Sequence, residues 1–336
     1  MQDSRTRTAV IGAGKMGAIH AKVYRQLGQS ELLAIVDSDG KKAAKLARKY
    51  KCSSCTDYRE LAGGVDAVTI ATPTVTHAEI AKFFIENGVA VLIEKPLAAD
   101  VEQAKEIVTL ARDANVVAAV GHSERCNPVV QALKRLDIEP KFIEATRISP
   151  YPFRSTDIGV VLDVMIHDID IILSLAASRV KRVEAVGVGV IDKQEDICNA
   201  RIVFENGCVA NITASRLALK TERKVRVFSK QAYLSLDYLK KTGTIVRASP
   251  NIDVVEKIRR LKKTGRFDFL KMDWTGLLKV ERLDIDDTEP LRLEQEAFLK
   301  AVAGEVDRPE VSAEEGLAAM ECAEQILAAV KEHRWE

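Results

Sequence analysis

The sequence predicts an α/β protein in two parts. A parallel sheet with helices on both faces is expected over residues 1–122, and a second unit on an antiparallel or mixed sheet over 123–336. Three observations predict it. Between residues 7 and 120, short β-branched runs alternate with Ala/Lys/Glu-rich helical stretches. Those runs are apolar almost throughout, which marks strands covered on both faces. From residue 180 to 250, strand-like segments follow one another without helices between them. A chain of 336 residues, 47% of them hydrophobic, can bury two cores of this kind.

The strands of the first unit are RTAVIGAG, ELLAIVDS, AVTIATP, AVLIEKP and VVAAVGH. The helices between them are MGAIHAKVYRQLG, GKKAAKLARKY, THAEIAKFFIENG and DVEQAKEIVTLARDA. After Gly121 the rhythm breaks. NPVVQALKRL reads as a helix capped by Asn127, with Pro128 in its first turn. KFIEATRIS reads as a strand, and GVVLDVMIHDIDIILSLA, from Gly159, as a helix. RVEAVGVGVI, CNARIVFENGCVANITASR, ERKVRVFSKQAYLSLDY and TGTIVRA follow as strands, with a hairpin turn at Asn206 and Gly207. Two amphipathic helices close the chain, placed so that they can pack back on the first unit. The second is entered through a capping box of Ser312 and Glu315.

Lys plus Arg number 50 and Asp plus Glu 49, a balance that argues against a polyanion binder and so against nucleic acid. The most basic segment, EKIRRLKKTGR at 256–266, reads as a solvated strand or loop. No apolar run approaches the roughly 20 residues of a membrane span, and the first residues do not read as a signal peptide. A cytoplasmic protein without a membrane partner is expected. Cys52 and Cys55 form a CSSC stretch, but no second close pair exists. With Cys126, Cys198, Cys208 and Cys322 they read as small apolar residues in a reducing compartment, and no metal site is expected.

Gly12, Gly14 and Gly17 stand in GxGxxG spacing, directly after an apolar run and at the start of a helical pattern. That context marks a Rossmann domain holding a dinucleotide. Gly12 permits the tight turn, Gly14 lets the backbone approach a pyrophosphate, and Gly17 allows close helix–strand packing. Lys15 and Met16 lie in the same turn, at the N–H end of the helix. Asp37 ends the second strand, 20 residues beyond Gly17, where a carboxylate accepts from ribose hydroxyls. It would repel the extra phosphate of NADP, so NAD is favoured, although Lys41 and Lys42 leave NADP open.

Ligands of such sheets bind beyond the carboxyl ends of the strands. There the sequence places Thr72, Pro73 and His77, then Glu94, Lys95 and Pro96, then His122, Glu124 and Arg125. Lys95 follows an apolar strand into the crevice and is suited to bind a substrate hydroxyl and assist its deprotonation. In GVVLDVMIHDIDIILSLA, at about 100° per residue, Asp163, His167, Asp170 and Ser174 share one stripe, with Asp168 off it. Asp163 and His167, at i and i+4, face the same space. Asp170, one turn on, is placed to accept from the second imidazole nitrogen and orient the ring.

The stretches VIGAGKMG, ATPTVTH, EKPLA and LDVMIHDID, in that order, resemble the glucose–fructose oxidoreductase and inositol 2-dehydrogenase family of NAD(P)-dependent sugar dehydrogenases. The resemblance covers essentially the full chain. It implies a Rossmann domain followed by an α/β domain with an open, largely antiparallel sheet, whose face often forms the contact of a homo-oligomer, a dimer or tetramer. It also implies a catalytic Lys95 with Asp163 and His167. Val164, Met165 and Ile166 depart from the glycine that many members carry between the aspartate and the histidine. Within the family, HSERCNPVV and ISPYPFRSTDIGVVLDVMIHDID look most like the UDP-N-acetylglucosamine 3-dehydrogenases. This implies oxidation of the sugar 3-hydroxyl to a ketone, a partner aminotransferase and a place in lipid A or surface-glycan synthesis. Arg125, Asn127, Arg147, Tyr151 and Arg154 are expected ligands of the nucleotide sugar by location and chemistry. The expected reaction is hydride transfer, with His167 as base and Lys95 as the group that stabilises the alkoxide. The rivals are a dehydrogenase of a free polyol such as myo-inositol and a non-catalytic nucleotide-binding scaffold.

Overall fold

A computed structural model of the chain describes residues 5–151, 158–191, 193–248, 260 and 278–333. The first unit runs β1 (Thr6–Ile11), α1 (Lys15–Gln26), β2 (Ser30–Val36), α2 (Gly40–Tyr50), β3 (Ser53–Cys55), β4 (Ala67–Ile70), α3 (His77–Glu86), β5 (Ala90–Glu94), α4 (Val101–Ala114) and β6 (Ala118–Gly121). Its six strands pair in the order β3-β2-β1-β4-β5-β6, all parallel. The unbroken apolar runs explain the layering. Every residue of β4 and β5 is buried, so both sheet faces need helices over them. Strand order reverses between β1 and β4, and the crevice beyond their carboxyl ends opens there.

The second unit begins with α5 (Pro128–Lys134), capped by the Asn127 side chain as the sequence predicts, and β7 (Pro140–Ile148). A π-helical turn over Val161–Met165 leads into α6 (Ile166–Ala176). Then come β8 (Val180–Val188), β9 (Ile197–Phe204), β10 (Val209–Ser215), β11 (Glu222–Ser229), β12 (Tyr233–Asp237), β13 (Thr242–Ala248), β14 (Leu278–Arg282), α7 (Pro290–Val302) and α8 (Ala313–Glu332). The strands form one eight-stranded sheet, β14-β13-β12-β11-β7-β10-β9-β8. Only the β7–β10 pair is parallel, so the sheet is largely antiparallel. Period-two burial shows one covered face: in β9, Cys198, Ala200, Ile202 and Phe204 point inward while Ile197, Asn199 and Arg201 point out.

The closing helices join the two units. α7 packs on α1 and on the turn Ser123–Cys126, while α8 lies against α4, α6 and β8. Ala119 of β6 forms a bridge with Ser312, the residue that caps α8 through the capping box with Glu315. Among the described residues, no helix is long and apolar enough to cross a membrane. The basic segment 256–266 lies outside the described residues except for Arg260.

Candidate active site

The glycine turn has the shape its spacing predicts. Gly12 has φ +103°, and a Cβ there would stand 2.4 Å from the Ala71 carbonyl oxygen. A Cβ at Gly17 would stand 1.8 Å from the Gly12 carbonyl oxygen, so the start of α1 can lie this close to the turn only as glycine. Gly14 is different: nothing lies within 4 Å of its Cβ position. It caps α1 without any side-chain hydrogen bond, leaving the first N–H groups of the helix, beside exposed Lys15 and Met16, turned to the crevice. Asp37 at the end of β2 accepts the N–H groups of Ala13 at 2.7 Å and Asp39 at 2.9 Å, which fixes its half-buried carboxylate beside the turn. Thr72 is half-buried and Pro73 exposed at the neighbouring strand end. An open Gly14, an uncapped helix end and a fixed carboxylate at the second strand fit the pyrophosphate and ribose of NAD.

Two residues expected at the cofactor are turned inward instead. His77 is 1% exposed, with Nδ1 3.0 Å from the Pro96 carbonyl oxygen and Nε2 3.0 Å from that of Thr72. It clamps the ends of β4 and β5 together, and burial pushes its pKa down. Glu94 is buried and accepts from His20 at 2.7 Å and from the Lys95 N–H at 3.2 Å. The polar atoms of both are engaged by neighbouring backbone or side chains.

Lys95 and the π-helical turn meet across the crevice. Lys95 Nζ donates to the Asp163 carbonyl oxygen at 2.7 Å and to Asp163 Oδ1 at 3.2 Å. Both side chains keep partial exposure, 19% and 22%. An ammonium has three N–H donors, so one remains for a ligand. His167 stands in the first turn of α6, half-buried, with Nδ1 sealed and without a partner among the described residues. The accessible part of its ring therefore lies away from Nδ1. Burial holds its pKa well below the usual histidine value, and the charges of Lys95, Arg147, His122 and Arg223 act in the same direction. The ring is thus a neutral imidazole, able to accept a proton but not to keep it. The fully buried His122 ring meets that of His167 edge-on, with centroids 6.1 Å apart.

Asp163, in the π-helical turn, makes its side-chain contact with Lys95, and no hydrogen bond joins it to His167. Two expectations change here. Asp170 does not orient His167. It accepts Arg125 Nε at 2.8 Å and Nη2 at 2.5 Å, and the pair is 1% and 2% exposed. Arg125 and Arg147 are not free cations for a diphosphate. Arg125 also donates to Glu315 at 3.1 Å, and Arg147 binds Asp168 through two contacts of 2.9 Å and Glu124 at 3.3 Å. Asp168, off the stripe, thus serves the β7 sheet. Asn127 is likewise occupied as a helix cap, accepting Val129 N–H at 3.0 Å. Tyr151 lies against the Arg216 guanidinium, 5.6 Å from ring centroid to carbon. Arg154 lies outside the described residues.

Several residues that sequence reasoning did not single out support the site. The Glu195 carboxylate accepts Val161 N–H at 3.1 Å, and its carbonyl accepts Val160 N–H at 2.9 Å, so it anchors the start of the π-helical turn. A Cβ at Gly159 would sit 2.0 Å from Glu195 Oε1, so a larger residue at that entry would displace this carboxylate. Fully buried Arg216 and Asp196, 2.7 Å apart, hold the Ile158 carbonyl oxygen at 2.9 Å from Arg216 Nη1. Arg223, 42% exposed and 2.7 Å from Glu124, is the cation of this group that still reaches solvent. No linear spacing ties residue 159 to 195 or 216; the one local sign was an acid pair, Glu195–Asp196, directly before a strand.

Known proteins match this architecture part by part. Residues 6–122 match the oxidoreductase family with an NAD-binding Rossmann fold, and residues 143–235 match the GFO/IDH/MocA C-terminal domain. The chain is similar to UDP-N-acetylglucosamine 3-dehydrogenase of Acidithiobacillus ferrooxidans, 34% identical over 299 residues and 88% of each chain. The solved structure of that enzyme superposes with a TM-score of 0.87 at 32% identity, covering 97% of this chain and 98% of the other. Inositol 2-dehydrogenase of Rhizobium meliloti is 29% identical over 56% of this chain and 60% of its own. Levoglucosan dehydrogenase in complex with NADH shares the fold, with a TM-score of 0.82 at 20% identity over 98% of this chain and 97% of its own. The chain belongs to the GFO/IDH/MocA family of NAD-binding oxidoreductases and is an NAD-dependent dehydrogenase.

Proposed function

We propose that this dehydrogenase oxidises a secondary hydroxyl of a nucleotide sugar, the 3-hydroxyl of UDP-N-acetylglucosamine, to the ketone. The observation that carries the reading is its 34% identity across 88% of both chains to an enzyme of that name. The site supports it chemically. The free N–H of Lys95 binds the substrate oxygen and stabilises it as the proton leaves. His167, held neutral, accepts that proton on its accessible side and passes it on to solvent. Asp163 holds the ammonium in place through two contacts, and its half-open carboxylate also borders the sugar. The glycine turn and Asp37 would hold NAD, which would supply the acceptor for the hydride of the same carbon. With Arg125 and Arg147 neutralised, Arg223 and the segment around Arg154 are the cations proposed to meet the diphosphate.

The test is a substrate panel followed by NADH absorbance, with UDP-N-acetylglucosamine, UDP-glucose and myo-inositol each offered with NAD and with NADP. Turnover of UDP-N-acetylglucosamine, raised by an aminotransferase that removes the ketone, is the expected result. Turnover of myo-inositol alone would replace the nucleotide-sugar reading with the polyol one. NAD binding without turnover of any member would favour the scaffold. We also propose a homo-oligomer through the second-domain sheet, which exposes Val188, Ile197 and Val280, with light scattering as the check.

A further inference from the structure

We infer that His20 is a positioning residue for Lys95, acting through Glu94, and that it ties the helix at the cofactor phosphates to the lysine that binds the substrate oxygen. The inference rests on the proposed role of Lys95.

His20 lies on α1, one turn past Gly17, with its side chain fully buried. Its two nitrogens have different partners. Gln295 Nε2 lies 2.9 Å from Nδ1 and 3.3 Å from the His20 carbonyl oxygen. An amide nitrogen only donates, so Nδ1 accepts and the ring proton sits on Nε2. Nε2 then donates to Glu94 Oε1 at 2.7 Å. The other oxygen, Oε2, accepts the backbone N–H of Lys95 at 3.2 Å. One carboxylate thus connects the imidazole to the peptide that carries the lysine. Burial alone would push the Glu94 pKa up, yet the hydrogen bond from His20 and the charge of Lys95 hold it below the usual value. The carboxylate stays ionised, and an ionised acceptor makes the stronger bond to the Lys95 N–H.

The packing leaves this carboxylate little freedom. A Cβ on Gly121 would stand 3.2 Å from Glu94 Cα and 3.3 Å from Oε2, so β6 closes one side. Gln295, on α7, holds the His20 ring that donates to this carboxylate, from the far end of the chain. Both Lys95 and α1 serve the reaction, one at the substrate and one at the cofactor. His20 bridges them through Glu94.

The experiment measures NAD affinity, kcat, KM and thermal stability for His20→Leu, His20→Gln and Lys95→Met. A glutamine carries both a donor and an acceptor and can replace both bonds of the imidazole; leucine replaces neither. For His20→Leu, kcat is expected to fall on the order of 10²-fold, the scale of a small misplacement at a reacting group. NAD affinity should stay within a few-fold, and His20→Gln should recover most of the loss. A purely structural role predicts instead that both variants lose stability and NAD affinity in step with kcat, and that pattern overturns the inference. If Lys95→Met is inactive while His20→Leu turns over normally, the positioning role alone is wrong. If Lys95→Met keeps its turnover, the functional reading of the lysine falls, and the inference with it.

Discussion

Asp170→Asn separates two roles that a carboxylate three residues from His167 can have. In the structure Asp170 holds the Arg125 guanidinium through contacts of 2.8 and 2.5 Å, with both side chains at most 2% exposed. Removing one member of a buried pair leaves an uncompensated charge and costs about 3–5 kcal/mol. Arg125 keeps Glu315 at 3.1 Å, which places the loss toward the lower end, about 3 kcal/mol. At roughly 2–4 °C per kcal/mol for a domain of this scale, the melting temperature should fall by about 6–12 °C. The double replacement Arg125→Met with Asp170→Leu removes both charges and should recover most of that loss. Thermal unfolding of the two variants, with kcat measured well below the transition, decides the matter. An Asp170→Asn protein that melts as the parent does but loses 10²-fold or more in kcat would refute the ion-pair account and restore Asp170 as the group that orients His167.

Three further expectations follow from the same geometry. Gly14→Ala should leave folding unchanged, because its Cβ meets nothing, while weakening NAD by intruding on the open face; Gly17→Ala should destabilise the fold, since its Cβ would meet backbone. Paired melting curves and NAD titrations distinguish them. His77, His122 and His167 all have pKa values lowered by burial below 6.5. Below pH 6.5 the unfolded chain therefore binds more protons than the folded one. Stability present above that pH should be lost on acidification, by up to about 1.4 kcal/mol per pH unit for each residue, as read from urea unfolding at pH 5 to 7. Glu294 has the opposite sign. It is 4% exposed, its carboxyl oxygens have no hydrogen-bond partner among the described residues, and burial, then Glu94 and Asp170, raise its pKa well above 4.5. Its contribution is complete below pH 4.5 and fades as pH rises toward the folded pKa. Glu294→Gln should therefore gain stability over the parent by about 1.4 kcal/mol per pH unit across that window, and a gap that does not widen with pH would contradict a neutral Glu294.

What was legible in the sequence was local. The glycine turn, Asp37 and Lys95 each follow an apolar run that can only be a buried strand, so position along the chain already gives position at the crevice. The capping box at Ser312 and the cap at Asn127 are readable for the same reason, since each partner lies within three residues. Arg125 and Arg147 could not be read this way. A guanidinium beside an active crevice looks the same in sequence whether it awaits an anion or already holds one, and their carboxylates lie 45 and 21 residues away. The π-helical turn was invisible because Val161–Met165 has the apolar content of an ordinary helix; only the backbone shows the extra residue per turn. Glu195, Arg216, His20 and Gln295 were missed because each acts across a gap that only the fold closes.

The placement of the last two helices bears on synthesis. Ala119 pairs with Ser312, a Cβ on Gly316 would stand 2.5 Å from Val120, and Gln295 fills the second valence of His20. A ribosome that has released only the first unit has therefore released an unfinished one. The outer edge of β6 is bare, and His20 has Glu94 at Nε2 but no donor at Nδ1. The cofactor domain comes first in translation yet is completed last, and a nascent chain gains a working active site only when nearly all of it has been made.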